Sequence, residues 1–561
     1  MSKIFNKSLL LLVILVSIPA FFYFLRPGYF PLHDDTQVQR VYEMGKSLSD
    51  GMFPVRWVKD LGYGYGYPIF NFYGPLAYYF GGIVSIITAN ALLATKMMFV
   101  FGIILSGVSM YFLGKELWGR VGGFVAAIFY VYAPYHALNI YVRGDVGEFW
   151  AYAFIPLIFY SLIKLYREGK WRYVAIGALS YAAVIVAHNL SAFIITPFVL
   201  LASLGICFSL FRSKKNYDIL KIGSMIFLGI ILSSFYFVPA LKELRYTNVG
   251  SIIGGGSDFR NHFVCLNQLW NSPWGFGGSN PGCVDGISFK LGKVQIFSVL
   301  LALALFVWTG IKNKKWNMSF LAILLGLIVS IFLTNQVSLP LWNALKPMEF
   351  IQFPWRYLGL VSFFISLICG SIFFYLGKLT KNQIILWVLT AALLLVLVIN
   401  SLKIFKPQAV LLYPNSYYIS QDNLKWTTSK ISDEYMPKDF SKPKNQSEIE
   451  KHLIESDEAP TYIDRTKGAL IVTYFTKSQA LTVNRAYFPA WQARLDGKKL
   501  PIKDQNGKIG VSIPSGRHIL ILNFVQTPTE KLSNLLTLIG FVGLIAVIIL
   551  DIKDRKNEKN T

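Results

Sequence analysis

Charge is what this sequence has least of. Only 15% of its 561 residues are Asp, Glu, Lys or Arg, against 54% hydrophobic and 16% aromatic, and the mean hydropathy is +0.47. So little charge excludes a disordered chain and an ordinary soluble enzyme. Cysteine is equally scarce: four residues cannot build a disulfide framework or a spaced zinc site. His188 and His262 have no companion at metal spacing and read as structural residues or sugar contacts. Acidic residues are short too, 30 against 54 basic ones, for a net charge of +24. In a soluble protein that excess suggests nucleic acid. Here the basic residues sit in short tracts between apolar runs, where they set membrane orientation instead, and no nucleic-acid partner is implied. What is left is a polytopic α-helical membrane protein.

A bilayer-crossing helix takes about 20 mostly apolar residues. Such runs lie at 9–25, 94–113, 121–137, 149–166, 172–188, 191–211, 219–240, 294–311, 317–334, 357–377, 383–401 and 532–550, which makes about twelve. The first follows Lys3 and Lys7 and lacks a small-residue cleavage site, so it reads as an uncleaved anchor. Residues 74–88 are also apolar. If they do not span, the connectors Lys115/Arg120, Lys164–Arg172, Lys312–Lys315 and Lys378/Lys381 and the tail Lys553–Lys559 all share the side of the N-terminus. The positive-inside rule favours that arrangement. Residues 74–88 are then expected as an interfacial helix, with Tyr78, Tyr79 and Phe80 at headgroup depth.

The expected layout is a transmembrane domain over 1–401, an extracytoplasmic mainly-β domain over 402–530, and a last span with a basic cytoplasmic tail over 531–561. Loops 26–93, 241–293 and 335–356 join the β-domain outside, with both termini cytoplasmic. Cytoplasmic loops are too short to hold a site, so the chemistry is expected on the extracytoplasmic face of the cell membrane.

Three polar clusters stand in those outer segments. His33-Asp34-Asp35 follows the first span; it reads either as a helix N-cap or as a functional acidic pair. Downstream, Gly62 to Tyr67 alternates Gly and Tyr, and Asn71 and Tyr73 follow. Such a stretch suits an aromatic loop that stacks on sugars, or an interfacial belt. Arg143-Gly144-Asp145-Val146-Gly147-Glu148 reads as a cap for the next span or as a second acidic group facing the first. Arg356, just before a span, opposes the positive-inside trend and calls for an anionic partner, either a lipid phosphate or the phosphate of a lipid-linked substrate. Cys265 and Cys283 both lie outside, where a disulfide persists, and would close a Gly- and Trp-rich loop. In the β-domain, strands are expected at 469–475, 481–488 and 508–513. A hairpin around Asp496-Gly497 and a turn at Ser515-Gly516 complete a small sandwich, either scaffold, lid or carbohydrate binder.

These clusters in this order resemble the GT-C-fold membrane glycosyltransferases, a class with protein O-mannosyltransferases and oligosaccharyltransferases. They most closely resemble a prokaryotic membrane family labelled 6-pyruvoyl-tetrahydropterin-synthase-related. The matching stretches are His33-Asp34-Asp35, Gly66 to Tyr73, Arg143-Gly144-Asp145, Ser272-Pro273-Trp274-Gly275 and Asp433-Glu434-Tyr435-Met436-Pro437. Tyr487 to Trp491 with Asp496-Gly497 resembles the β-domain of bacterial membrane proteins thought to glycosylate teichoic acids. The pterin chemistry in the family's label has no support here, since no zinc-binding His set is present.

The resemblance implies sugar transfer from a polyprenyl-phosphate donor to an acceptor hydroxyl on a glycan, lipid or protein, with inversion. Asp34 or Asp35 serves as general base, Asp34 being preferred. Arg356, or Arg143, stabilises the departing phosphate. Asp145 and Glu148 hold sugar hydroxyls or a divalent cation, and His33, Tyr67, Asn71 and Tyr73 line the substrate site. The rival readings are a transporter or flippase of lipid-linked sugars and a non-catalytic envelope assembly protein. Against ion coupling, Lys96, Lys164, Arg172, Lys221 and Lys293 sit at span edges rather than at mid-membrane.

Overall fold

A computed structural model describes residues 2–252, 255–380, 382–454 and 460–560. Lys381, one of the expected basic connectors, lies outside them. Every expected span is helical. Among the described residues, however, eight helices are long and apolar enough to cross a bilayer, or ten if each of two bent pairs counts as one. That is fewer than the expected twelve, for three physical reasons. Ala91–Val131 carries two of the runs and breaks at Gly119, whose φ of 78° suits glycine alone. Trp171–Ala187 has only 17 residues. Two further spans are bent, Asn216–Leu232 against Ser234–Lys242 by 64° and Met318–Thr334 against Gln336–Ala344 by 85°.

The helix Val146–Glu168 measures the separation of the two polar ends. Its 23 residues rise about 34 Å at about 1.5 Å each, close to the hydrocarbon thickness. Near its C-terminal end Arg167 bonds Glu116 at 2.6 Å, Lys170 bonds Glu558 at 3.0 Å, and Asp551 accepts from the Arg172 N–H at 3.0 Å. Three of the basic connectors thus converge there, and the polar loops gather at the N-terminal end.

Leu76–Thr88 is a 13-residue apolar helix, too short to span. It packs between Gln37–Ser49 and Ala91–Val131. Tyr78 is fully buried and its hydroxyl donates to Gln37 Oε1, while the Tyr79 hydroxyl accepts from the Val55 N–H at 2.9 Å. The polar tips of both tyrosines thus find partners inside the protein.

The β-domain is a sandwich of antiparallel strands. They are β1 (Thr461–Arg465), β2 (Gly468–Phe475), β3 (Gln479–Ala486), β4 (Trp491–Leu495), β5 (Lys498–Leu500), β6 (Lys503–Gln505), β7 (Lys508–Ile513) and β8 (Gly516–Phe524). One sheet runs β1-β2-β8-β4-β5 and the other β3-β7-β6. Asp496 and Gly497, at φ 47° and 82°, make the tight turn between β4 and β5. Leu481, Val483, Ile509, Val511 and Ile513 of the small sheet are buried, as are Ile471, Leu520 and Leu522 of the large one.

The Gly/Tyr stretch holds this domain down. Tyr63, Tyr65 and Tyr67 are at most 4% exposed. The Tyr63 hydroxyl donates to Asp433 at 2.7 Å, Tyr65 meets Phe440 edge-on and its carbonyl accepts from the Ala486 N–H at 2.7 Å. Trp57 meets Trp491 edge-on at 5.3 Å, and any side chain at Gly66 would strike the Trp57 ring. The aromatic loop expected over a sugar is instead a bearing between domains, because its rings find more apolar area against the β-domain than they would against a ligand.

Candidate active site

The second polar cluster opens the helix Val146–Glu168. Gly144, at φ 68°, turns the chain into it, and Asp145 is its N-cap, accepting from the Glu148 N–H at 2.9 Å. Arg143 is then enclosed. One guanidinium nitrogen bonds Asp145 at 2.7 Å and another bonds Glu148 at 2.8 Å and the Asn139 side chain, while the Trp355 ring covers the group at 4.6 Å. The Tyr135 hydroxyl donates to Glu148. The expected substrate contacts Arg143, Asp145 and Glu148 thus engage one another. Arg143 is neutralised by these two carboxylates, and Asp145 and Glu148 each turn one oxygen to it. Among the described residues no group of three or more His, Cys, Asp or Glu is placed to hold a metal ion.

The first cluster is stitched onto the second through the main chain. The His33 N–H donates to the Val142 carbonyl at 3.0 Å and the Asp34 N–H to the Arg143 carbonyl at 2.9 Å. Gln37 Nε2 donates to the Gly144 carbonyl at 2.7 Å. The helix Gln37–Ser49 starts behind Thr36 with no side-chain cap bond, so the capping reading of Asp35 does not hold. Both aspartates are half-buried, and no donor among the described residues reaches either carboxylate. Burial first and the Asp145 charge second raise the Asp34 carboxyl, against the pull of Arg143, Arg40 and His33. Burial alone pushes Asp35 up to about 6. Burial works the same way on Asp145, but Arg143, His188 and Arg356 hold that carboxyl well below the usual range. Three carboxylates close together thus differ by environment.

Arg356 sits in the turn Pro354–Tyr357. Its Nε and Nη1 are buried and, among the described residues, have no hydrogen-bond partner. Its positive charge acts on both Asp145 and His188. A buried guanidinium lacking two of its bonds is costly unless something completes it.

Glycine brings the remaining side chains in. A methyl group at Gly74 would collide with the Ala187 carbonyl, and one at Gly147 would press on it at 2.9 Å. These close approaches bring Tyr73 and His188 within electrostatic reach of Asp145. His188 caps the helix Asn189–Arg212 by accepting from the Ser191 N–H at 3.2 Å, and burial lowers its imidazole. Tyr73 is half-buried under the Arg40 guanidinium, 4.2 Å from its ring. Arg40 in turn donates to Ser432 at 2.8 Å, and Ser432 donates to Glu434 at 3.0 Å.

Two expected substrate contacts lie elsewhere. Asn71 is fully buried: its oxygen accepts from Arg56 at 2.6 Å and its amide donates to Glu243 at 3.1 Å and Glu530 at 2.8 Å. The Tyr67 hydroxyl accepts from the Tyr435 N–H at 3.1 Å. Both are structural, since their polar atoms are already engaged. His33 is exposed, with Nε2 3.0 Å from the Phe276 carbonyl. Cys265 and Cys283 form a disulfide. Sequence reasoning gave no role to Arg40, Trp355 or Glu434. Arg40 lies in the first turn of the helix that follows Asp34 and Trp355 adjoins Arg356, both legible signals; Glu434 reaches the site through tertiary contacts alone.

Residues 70–249 match the family model described as a 6-pyruvoyl-tetrahydropterin synthase related domain, membrane protein. A Lactococcus lactis subsp. cremoris protein described as uncharacterized is 25% identical over 362 residues, 63% of this chain and 55% of its own length. The chain therefore spans about half of that relative. Among solved structures, the apo oligosaccharyltransferase of Archaeoglobus fulgidus aligns with a TM-score of 0.46 and 13% identity, over 80% of this chain and 62% of its own. An arabinofuranosyltransferase from Mycobacteria aligns with a TM-score of 0.47 and 13% identity, over 74% and 28%.

Proposed function

We propose that this protein is a membrane glycosyltransferase that moves a sugar from a polyprenyl-phosphate donor to an acceptor hydroxyl at the extracytoplasmic end of the bundle. The observation that carries the reading is the contrast between two neighbouring arginines. Arg143 is closed by two carboxylates, whereas Arg356 has two buried N–H groups with no partner among the described residues. A phosphate oxygen pair is the acceptor that an open guanidinium fork suits best.

Asp34 is the general base. Its charge environment includes Asp145, Arg143 and Arg40, which puts it on the side of the second cluster, whereas Asp35 acts on Tyr29 and Tyr418. A carboxyl raised by burial and a like charge accepts a proton more readily near neutral pH. In the transfer, Asp34 takes the acceptor hydroxyl's proton as that oxygen bonds the anomeric carbon. The bond from that carbon to the phosphate oxygen breaks, and its electron pair leaves with the polyprenyl phosphate, opposite Arg356. Inversion follows from a single displacement. Tyr73 and His188 border the space in which the sugar lies.

The test uses the full chain purified into lipid, with radiolabelled polyprenyl-phosphate hexoses and pentoses and a cell-envelope extract as acceptor. Release of free polyprenyl phosphate, lost in the Asp34→Ala/Asp35→Ala double variant, is the expected result. Passage of the intact lipid-linked sugar across vesicles without bond cleavage would replace this reading with the transporter.

A further inference from the structure

The outer loop 241–293 contains a segment that no step above uses. The Cys265–Cys283 disulfide closes it, and its ends are anchored away from the site. The Val264 N–H donates to the Thr334 carbonyl at 2.8 Å, and Asn335 returns a bond to the Val264 carbonyl at 3.0 Å. Just past the other end Asp285 folds back on the segment itself, accepting from Gln268 at 3.0 Å and from Ser272.

Between these anchors the segment touches the candidate site twice. The Phe276 carbonyl is 3.0 Å from His33 Nε2, next to Asp34. Ser279 Oγ accepts from Trp355 Nε1 at 3.0 Å and stands 2.9 Å from His262 Nδ1. Trp355 is the ring that covers Arg143 at 4.6 Å, and it stacks at 5.0 Å on Phe353, the ring nearest the Arg356 guanidinium. His262 packs edge-on against the same Phe353 at 4.7 Å. One covalently closed loop therefore grips the acidic pair on one side and the arginine turn on the other.

One link between these halves already runs through Arg143, whose carbonyl accepts from the Asp34 N–H at 2.9 Å and whose guanidinium lies under Trp355; the loop adds a second. Asp34 follows the first span and Arg356 lies in the turn Pro354–Tyr357 that opens the span Pro354–Leu379, so neither is held within a regular α-helix. A loop stapled at its base loses far less entropy in holding such a grip than an open one.

We propose that the Cys265–Cys283 segment is a clasp that keeps the acidic pair and the Arg356 turn in register, with Ser279 and the Phe276 carbonyl as positioning groups, so that a polyprenyl phosphate is held tightly only while the disulfide is intact. The proposal rests on the reading of Arg356 as the phosphate ligand, and its first test is independent of that reading. Neither Ser279 nor the Phe276 carbonyl touches a reacting atom; each acts through Trp355 or His33.

The full chain is compared oxidised, reduced with a membrane-permeable phosphine, and as Cys265→Ser/Cys283→Ser. Hydrogen exchange is read on peptides covering 33–40, 143–150, 272–288 and 353–358. Loss of protection in all four on reduction is expected; loss confined to 272–288 overturns the clasp. Binding of undecaprenyl phosphate to the same three forms is then measured. Affinity about tenfold weaker without the disulfide is expected, the scale of two lost hydrogen bonds, and equal affinity overturns the coupling. Ser279→Ala keeps the disulfide and should reproduce part of the loss while leaving 272–288 protected. If no form binds the lipid phosphate, the reading of Arg356 falls, and the exchange result alone decides the clasp.

Discussion

Two buried charge clusters of the first outer loop invite comparison. Around Asn71 the cluster is paired throughout: among the described residues Arg56 Nε alone makes no hydrogen bond, and it faces Glu530 at 3.7 Å as an ion pair. Arg56 bonds Asn71 at 2.6 Å and the Phe235 carbonyl and Asn534 at 2.9 Å, Asn71 bonds Glu243 and Glu530, and Thr527 links to both glutamates. This knot ties the last span to the first loop. Around Asp34 the cluster stays open: two carboxylates have no donor among the described residues and Arg356 has two unpartnered N–H groups. Both clusters pay the desolvation cost of buried charge, but only the first recovers it within the protein. An open cluster that persists is the mark of a site whose missing partners come from a ligand.

The sharpest way to break the comparison is at Asp34. Asp34→Asn should lower labelled-sugar transfer by about a thousandfold, the range for removing a general base, with the thermal midpoint in detergent unchanged or higher. Transfer within a few-fold of the parent would leave Asp34 without its role. Next in size, Arg56→Met should destabilise by about 3–5 kcal/mol, because it strands Glu530 and Glu243 without their cation. Thermal unfolding in detergent reads that loss, and a stability equal to the parent's would show that the knot is not the structural cluster.

Arg356→Gln sits between the two and separates them. It should weaken undecaprenyl-phosphate binding and transfer by about a hundredfold yet cost little stability, since it removes a charge beside Asp145 and breaks no hydrogen bond of Nε or Nη1 among the described residues. A large drop in thermal midpoint without a binding change would move Arg356 into the structural class. The smallest expected effect is pH dependence at Asp35. Its carboxyl is raised from 3.8 to about 6 by burial, so the folded protein holds this proton more firmly than the unfolded chain. The stability it contributes is full below about pH 4 and is lost as pH rises through about 6, roughly 2 kcal/mol after allowing for partial exposure. Asp35→Asn should flatten that part of the stability-against-pH curve; an unchanged slope would assign it to another group.

Much of the fold was legible because lipid is a uniform solvent. A run such as 9–25 or 383–401 must be helical wherever it lies, since its backbone has no other hydrogen-bond partner there. The β-domain announced itself through local turns, Asp496-Gly497 above all. The site was legible in part. His33 to Asp35, Arg143 to Glu148 and Arg356 were visible as charges out of place at a membrane surface, and the structure brings these segments together. Their division of labour was not visible. Nothing local distinguishes Arg143, which is neutralised, from Arg356, which is not, and nothing in Tyr63, Tyr65 or Asn71 says that they face another domain.

The sequence by itself therefore determined which segments are apolar enough to meet lipid, the helical spans, the polar clusters that flank them and the strands of the small sandwich, all properties of residues near one another along the chain. Only the tertiary structure decided which charges cancel, which aromatic rings bear the β-domain and which guanidinium is left open. Those outcomes depend on partners such as Asp145 with Asp34, or Ser279 with Trp355, that the chain brings together from distant positions, and a buried charge takes its meaning from its partner.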